Sequence, residues 1–168
     1  MKSPVVKTSN FAIMSLLFVS TFFVITHSFG QEPKEITLQH AIESKHFIFK
    51  AQSAFPMRGG MRQLTSEYDL KVNGDSITAY LPYFGRAYVA PIDPAKGGIQ
   101  FTSRQNDYSL KIKKNSSEIT IAPKNIQEVR QLFLSISSNG NARLQVISNT
   151  RDPISFNGYV EAIKEELN

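Results

Sequence analysis

Short runs in which apolar and polar residues alternate are the feature that most constrains the fold. Residues 68–72 and 77–81 alternate in this way, and Asn73-Gly74 lies between them. Both residues of an Asn-Gly pair tolerate a positive φ, so the pair favours a tight turn between antiparallel strands. The pattern therefore predicts a β-hairpin, and a second hairpin is predicted around the turn at 137–141.

About eight or nine strands follow from the same pattern, at a spacing of roughly 8–12 residues. One segment differs, because the spacing of Leu38, Ala41 and Ile42 predicts a short helix over 35–44. No strand alternates with a long helix, which argues against a parallel α/β sheet. We therefore predict a mainly β fold, an antiparallel meander that forms a curved sheet or small barrel with one short N-terminal helix.

Residues 1–30 have the composition of a secretory signal peptide. Two lysines precede an apolar run over 11–25, and Ser28 and Gly30 place small residues at the positions that precede a cleavage site. The run is shorter than the roughly 20 residues that a membrane-spanning helix needs. We therefore expect cleavage between Gly30 and Gln31, a single β-rich domain over 31–168, a periplasmic or secreted location and no stable membrane span after cleavage.

Charge and cysteine content exclude several functions. The formal net charge is +5, and two of the positive charges belong to the leader. An exported domain with so small a positive excess is not expected to bind nucleic acid. The chain has no cysteine, which excludes disulfides, thiolate catalysis and zinc–thiolate sites. A cysteine-free exported chain suits a bacterial periplasm better than a disulfide-dense extracellular scaffold.

Catalytic chemistry has little support in the sequence. His40 and His46 stand six positions apart across a predicted change from helix to strand, which is not the spacing of a metal-binding pair. Glu67 and Asp69 share a strand face that is expected to be solvated. No Gly-x-Ser-x-Gly pattern marks a nucleophile. We therefore predict no catalytic residue, no metal site and no cofactor, and we favour a non-enzymatic protein.

The stretch 79–91 holds three tyrosines, a phenylalanine, an arginine, two prolines and a glycine. Pro82 cannot donate a ladder hydrogen bond, so the strand before it ends or turns there. A second loop, 56–62, combines proline and two glycines with two arginines. Arginine binds carboxylate, sulfate or phosphate with a planar fork, and tyrosine stacks on sugar or peptide faces. The candidate ligand-binding residues are therefore Arg58, Arg62, Tyr83, Arg86 and Tyr88.

A structural interpretation of the same stretch stays open. Its aromatic residues could close one end of a barrel, with Arg86 paired to an acid such as Glu67. Gly85 suits both interpretations, because glycine permits a positive φ or the close approach of another group.

The chain resembles a known family in several segments. The longest is Leu81-Pro82-Tyr83-Phe84-Gly85-Arg86-Ala87-Tyr88, which is followed by Ala90-Pro91, Gly97-Gly98-Ile99 and Phe101. Residues 54–62 and Ile154-Ser155-Phe156-Asn157-Gly158-Tyr159 fit the same family, and the resemblance covers roughly His46 to Val160. These segments are similar to the domain of unknown function 4251 family of exported Bacteroidota proteins. The resemblance implies a cell-envelope protein and carries no activity or catalytic residue.

Three functions remain possible on the sequence. The first is a non-enzymatic β domain of the cell envelope that binds a ligand or partner through the two loops. The second is a structural or partner-binding envelope protein that uses exposed strand edges. The third is a hydrolase that acts on glycan or cell-wall material. The partner expected for the first two is a glycan, a peptide or another envelope protein.

Overall fold

One helix and ten strands form the described part of the computed structural model, which covers residues 34–89 and 97–163. The predicted leader, most of the predicted turn at 93–98 and the end of the charged tail lie outside the described residues. The elements are α1 (Lys34–Glu43), β1 (His46–Pro56), β2 (Arg62–Gln63), β3 (Asp69–Asn73), β4 (Ser76–Leu81), β5 (Ile99–Ser103), β6 (Asn106–Lys113), β7 (Ser116–Pro123), β8 (Val129–Ser137), β9 (Asn141–Ser148) and β10 (Ile154–Ala162).

The strands form one antiparallel sheet in the order β5-β4-β3-β1-β10-β9-β8-β7-β6, and β2 pairs with β1. Sequential hairpins account for most of this order. The pairing of β1 with β10 is different, because it joins the two ends of the domain. The sheet is nearly closed and barrel-like, with β5 and β6 at its edges, so the predicted fold class is confirmed.

The hydrophobic core lies on the inner face of the sheet. Alternation puts every second residue of a strand on that face, and β8 shows it directly, with Leu132, Leu134 and Ile136 at most 2% exposed. The largest fully buried side chains are Phe47, Phe49, Phe156, Leu70, Ile77, Leu81, Ile119, Ile121, Leu132, Leu134, Ile136 and Leu144. The packing of this face stabilises the fold without any disulfide.

Helix α1 covers part of the core. Leu38, Ala41 and Ile42 are buried, as their helical spacing predicts, and α1 packs against β1 and β10. The chain leaves the helix through Lys45, whose φ of 59° is left-handed. Among the described residues, no helix has the length and apolar character required to cross a membrane.

The β3–β4 hairpin is present, but its turn lies one residue later than the Asn73-Gly74 pair suggests. Asn73 pairs with Ser76, so Gly74 and Asp75 are the two central turn residues. Gly74 has a φ of +60°, and no positive φ is found at Asp75. A positive φ at the first central residue alone is the pattern of a type II′ turn. The turn therefore needs glycine at one position rather than two.

Candidate binding site at the tyrosine and arginine loops

The stretch after β4 pairs with the turn between β9 and β10. The Tyr88 amide donates to the Thr150 carbonyl at 2.8 Å, and the Asp152 amide donates to the Arg86 carbonyl at 3.0 Å. Ala87 and Arg151 form an isolated antiparallel bridge between these two bonds. β4 itself ends at Leu81, immediately before the proline. The stretch is thus held by a segment that lies more than sixty residues away in sequence.

Tyr83 points toward the interior of this loop pair. Its hydroxyl has two backbone carbonyls as acceptors, that of Arg86 at 2.8 Å and that of Asp152 at 3.2 Å. Burial raises the pKa of the Tyr83 phenol. A Cβ on Gly85 would meet the Tyr83 hydroxyl oxygen at 2.7 Å, so glycine makes room for this side chain. Tyr83 therefore acts mainly as a fixed part of the loop structure.

Arg151 is the central residue of the loop pair. Its side chain is 4% exposed, and its Nη2 lies 2.6 Å from Glu128 Oε1. Its Nη1 donates to the carbonyls of Gly97 and Gly98 at 3.2 and 3.0 Å. The guanidinium also lies over the Tyr83 ring, 5.0 Å from the centroid. One arginine therefore connects three loops, and the candidate list from the sequence did not include it.

Asp152 fixes the outer part of the stretch. Its carboxylate accepts a hydrogen bond from the Tyr88 hydroxyl, although Asp152 itself is 5% exposed. This hydrogen bond is the main cause of the raised pKa of the Tyr88 phenol. The residue as a whole is 64% exposed, so most of Tyr88 faces solvent. The ring is thus held at its tip and open on its faces.

Exposed arginine, methionine and tyrosine side chains of the two loops form a surface that we call the arginine surface, made of Met57, Arg58, Met61, Arg62, Arg86 and Tyr88. The Arg62 guanidinium lies over the Phe84 ring, 4.8 Å from its centroid, and this contact joins the loops. Arg58 and Arg86 lie close enough to Tyr88 for their positive charges to oppose the rise in its pKa. All five candidate residues therefore lie at one end of the sheet, with Tyr83 turned inward and the others exposed.

The arginine surface is far from the histidines. His46 begins β1 and the loop with Arg58 follows its end, so the 11 residues of β1 place about 30 Å between them. Helix α1, which carries His40, precedes β1 on the side of His46. Within the described residues, no group of three or more histidine or carboxylate side chains has the geometry of a metal site. The exposed side chains of the surface are thus arginine, methionine and tyrosine, and neither histidine lies beside them.

The carboxylates Glu67 and Asp69 lie in different environments. Glu67 is exposed and Asp69 is half-buried opposite Lys50 in β1. Burial is the main reason that the pKa of Asp69 is raised. Lys50 in turn pairs with Glu161 at 3.4 Å. Asp69, Lys50 and Glu161 belong to the paired strands β3, β1 and β10, and Glu67 lies just before β3.

Comparison with known proteins identifies relatives by sequence and by fold. The profile of a family described as domain of unknown function (DUF4251) matches residues 30–160. The crystal structure of a DUF4251 family protein from Bacteroides eggerthii is similar in fold, with a TM-score of 0.58 and 18% identity over 77% of this chain and 87% of that chain. No curated protein matches the sequence.

Proposed function

The chain belongs to the DUF4251 family, and from that premise and the geometry of the loops we propose that it is a non-enzymatic binding domain of the cell envelope. Its partner would bind at the arginine surface. We further propose that this partner is an extended segment of a peptide or protein that carries acidic and apolar side chains.

The observation that carries this proposal is the concentration of exposed apolar residues beside arginines. Among the described residues, seven large apolar residues are exposed, and the four most exposed of them lie in the two loops. These four are Met57, Met61, Tyr88 and Val89, with exposures of 58–64%. Exposed apolar groups cost free energy in water, and methionine, tyrosine and arginine are enriched at protein interfaces.

The buried network beneath the surface supports the same function. Arg151 and Asp152 hold the stretch that carries Arg86 and Tyr88, so these side chains are presented from a fixed backbone. A fixed backbone reduces the conformational entropy that binding would otherwise cost. Arg62 lies in β2, which pairs with β1 and fixes the second loop in the same way.

Selection of peptides tests this proposal. Phage-displayed octapeptides selected on the wild-type domain should be enriched in aspartate or glutamate beside apolar residues. The Arg58→Gln/Arg86→Gln double variant should bind the selected peptides at least tenfold more weakly in fluorescence anisotropy, because each lost charge-assisted contact weakens binding. The Arg104→Gln/Arg130→Gln variant loses the same charge from exposed positions elsewhere and serves as the control.

Equal binding of the selected peptides by both double variants would contradict the proposal. So would selection of peptides without acidic enrichment. A sulfated disaccharide is used in parallel, since its sulfate groups would also pair with arginine forks. If the sulfated sugar binds and no peptide does, the partner class proposed here is wrong.

Export is a separate part of the proposal. It is supported by the order of basic, apolar and small residues over 1–30. N-terminal sequencing of the protein produced in a bacterial host with an intact export pathway should begin at Gln31. An accumulated chain that retains Met1 and stays in the cytoplasm would contradict it.

A further inference from the structure

The outer face of the sheet carries a depression whose lining residues lie mainly in β6 to β9, outside the two loops. In β6 to β9 the inward residues fill the core, so their neighbours point outward in rows across the strands. Register places Ser109, Thr120, Phe133 and Gln145 side by side in one row. The adjacent row is formed by Lys111, Glu118, Ser135, Arg143 and Asn157.

These rows line a groove. A cavity of about 490 Å³ is bounded by both rows, from Ser109 and Lys111 to Arg143 and Gln145. A second cavity of about 420 Å³ shares Ser135 and Arg143 with the first and continues to Gln52 in β1. We call these two adjoining depressions together the outer groove. Each volume lies within the range of small-molecule binding sites, about 300–1,000 Å³.

The groove crosses six neighbouring strands, from β6 through β7, β8, β9 and β10 to β1. Neighbouring strands lie about 4.8 Å apart, which gives a length of about 24 Å. A surface of this length accommodates a chain of several units rather than a single small molecule.

Half of the lining residues are uncharged residues that can hydrogen-bond, and Ile119, Leu134 and Ala142 add apolar atoms. Serine and threonine hydroxyls and asparagine and glutamine amides can each donate and accept. Lys111 and Arg143 add positive charge. Glu118, the acidic residue of the lining, is engaged by Lys113. The groove therefore offers many neutral polar contacts with an excess of positive charge.

Phe133 distinguishes this face from an ordinary solvated sheet face. It lies between Thr120 and Gln145 on the outer face of β8 and is 36% exposed. An aromatic ring on an otherwise polar floor offers an apolar plane for a ligand that is itself polar at its edges. Sugar rings have this character, because their C–H groups form apolar faces and their hydroxyls lie at the rim.

We propose that the outer groove binds an acidic oligosaccharide, with a sugar ring stacked on Phe133 and a carboxylate paired with Arg143 or Lys111. The site is independent of the arginine surface, since the two share no residue. Stacking on Phe133 supplies apolar contact with any sugar ring. The guanidinium of Arg143 can pair with a carboxylate in a bidentate manner, which favours acidic sugars over uncharged ones.

Titration with defined tetrasaccharides tests this site. Tetragalacturonate should shift the amide resonances of β7 to β9 in NMR spectra and bind measurably in calorimetry, and uncharged cellotetraose should bind at least tenfold more weakly. Phe133→Ala and Arg143→Gln should each weaken tetragalacturonate binding at least tenfold. Tyr80→Ala and Arg130→Gln, at exposed positions on β4 and β8 outside the groove, should leave it unchanged.

The Arg58→Gln/Arg86→Gln variant separates the two proposals, since it should retain full tetragalacturonate affinity. Loss of affinity in that variant would show that the saccharide binds at the loops and would overturn the outer-groove proposal. Equal binding of the charged and uncharged tetrasaccharides would overturn the acidic ligand class. Binding unaffected by Phe133→Ala and Arg143→Gln, or no binding to the wild type, would overturn the site itself. Thermal unfolding of both groove variants should match that of the wild type, because neither side chain belongs to the core.

Discussion

Arg151 shows how much a single buried charge can connect. Replacement by glutamine removes the ion pair with Glu128, the contact with the Tyr83 ring and the donors to the carbonyls of Gly97 and Gly98. Glu128 is 41% exposed and the Gly97 residue is exposed, so both groups can return to water. The cost therefore comes mostly from the lost packing against Tyr83 and the lost donor to the half-buried Gly98 carbonyl. We expect Arg151→Gln to lower the free energy of unfolding by about 2–3 kcal/mol in urea denaturation.

The exposed Arg130 provides the matched control for that measurement. Arg130→Gln should change the unfolding free energy by less than about 0.5 kcal/mol. An Arg151→Gln variant as stable as the control would show that the network around Tyr83 does not stabilise the loops.

For Tyr108 we expect a substitution to stabilise the domain. Its hydroxyl oxygen is buried and has no hydrogen-bond partner within the part of the chain that the structure describes. A buried unpaired hydroxyl costs about 1–3 kcal/mol. Phenylalanine keeps the ring beneath the Lys45 ammonium, which lies 4.8 Å from its centroid. Tyr108→Phe should therefore raise the unfolding free energy by about 1 kcal/mol at neutral pH, and a loss of stability would reveal a partner for the hydroxyl.

The same residue predicts a dependence on alkaline pH. Burial raises the pKa of the Tyr108 phenol to about 12, whereas the unfolded chain titrates near 10. The folded state favours the neutral phenol. Its contribution to the free energy of unfolding is therefore complete below pH 10 and is lost as the pH rises from 10 through 12. The unfolding free energy of the wild type should fall more steeply across this window than that of Tyr108→Phe. Parallel slopes would contradict the assignment.

Among the strands, the close contact between β1 and β10 requires a glycine at position 158. A Cβ on Gly158 would overlap the carbonyl oxygen of Lys50 and approach Ala51 Cα to 3.1 Å. The register of the two strands shifts between Ala51 and Ser53 at this point. Backbone atoms cannot move aside as a flexible side chain can, so Gly158→Ala should destabilise the domain by about 3 kcal/mol or more.

Gly60 gives the comparison, because a Cβ there would meet no atom within 4 Å. Gly60→Ala should leave the melting temperature unchanged within about 2 °C. If Gly158→Ala melts at the same temperature as Gly60→Ala, the two strands do not pack as closely as described.

At the scale of the whole molecule, the order of the sheet determines how the domain folds. β1 and β10 are neighbours although about a hundred residues separate them in the chain. Closing so long a loop costs entropy before its contacts form, and β proteins with such pairings fold in milliseconds to seconds. Stopped-flow tyrosine fluorescence should show folding in this range, since the chain has no tryptophan. Folding in microseconds would contradict the expectation that the pairing of β1 with β10 limits the folding rate.

Particular residues show how far the sequence predicts this structure. The alternation over 68–72 and 77–81 predicts the hairpin, but the turn shifts to Gly74 and Asp75 because Val72 must pair with Ile77. Arg151 could not be recognised, because it lies in a polar turn whose composition indicates only a loop. Among the candidate residues, the sequence could not distinguish the inward Tyr83 from the exposed Tyr88.

The sequence predicted the helix and every strand except the two-residue β2, because alternation and helical spacing are periodic and local. It did not predict the register shift between Ala51 and Ser53 in β1. Tertiary packing alone sets the pairing of β1 with β10, the contacts of Arg151 with three loops and the position of Phe133 on the outer groove. Period-2 alternation is the same in every strand and contains no information about which strand is its neighbour. Neighbours are chosen by packing and loop closure over the whole chain, and sites built across strands depend on that choice.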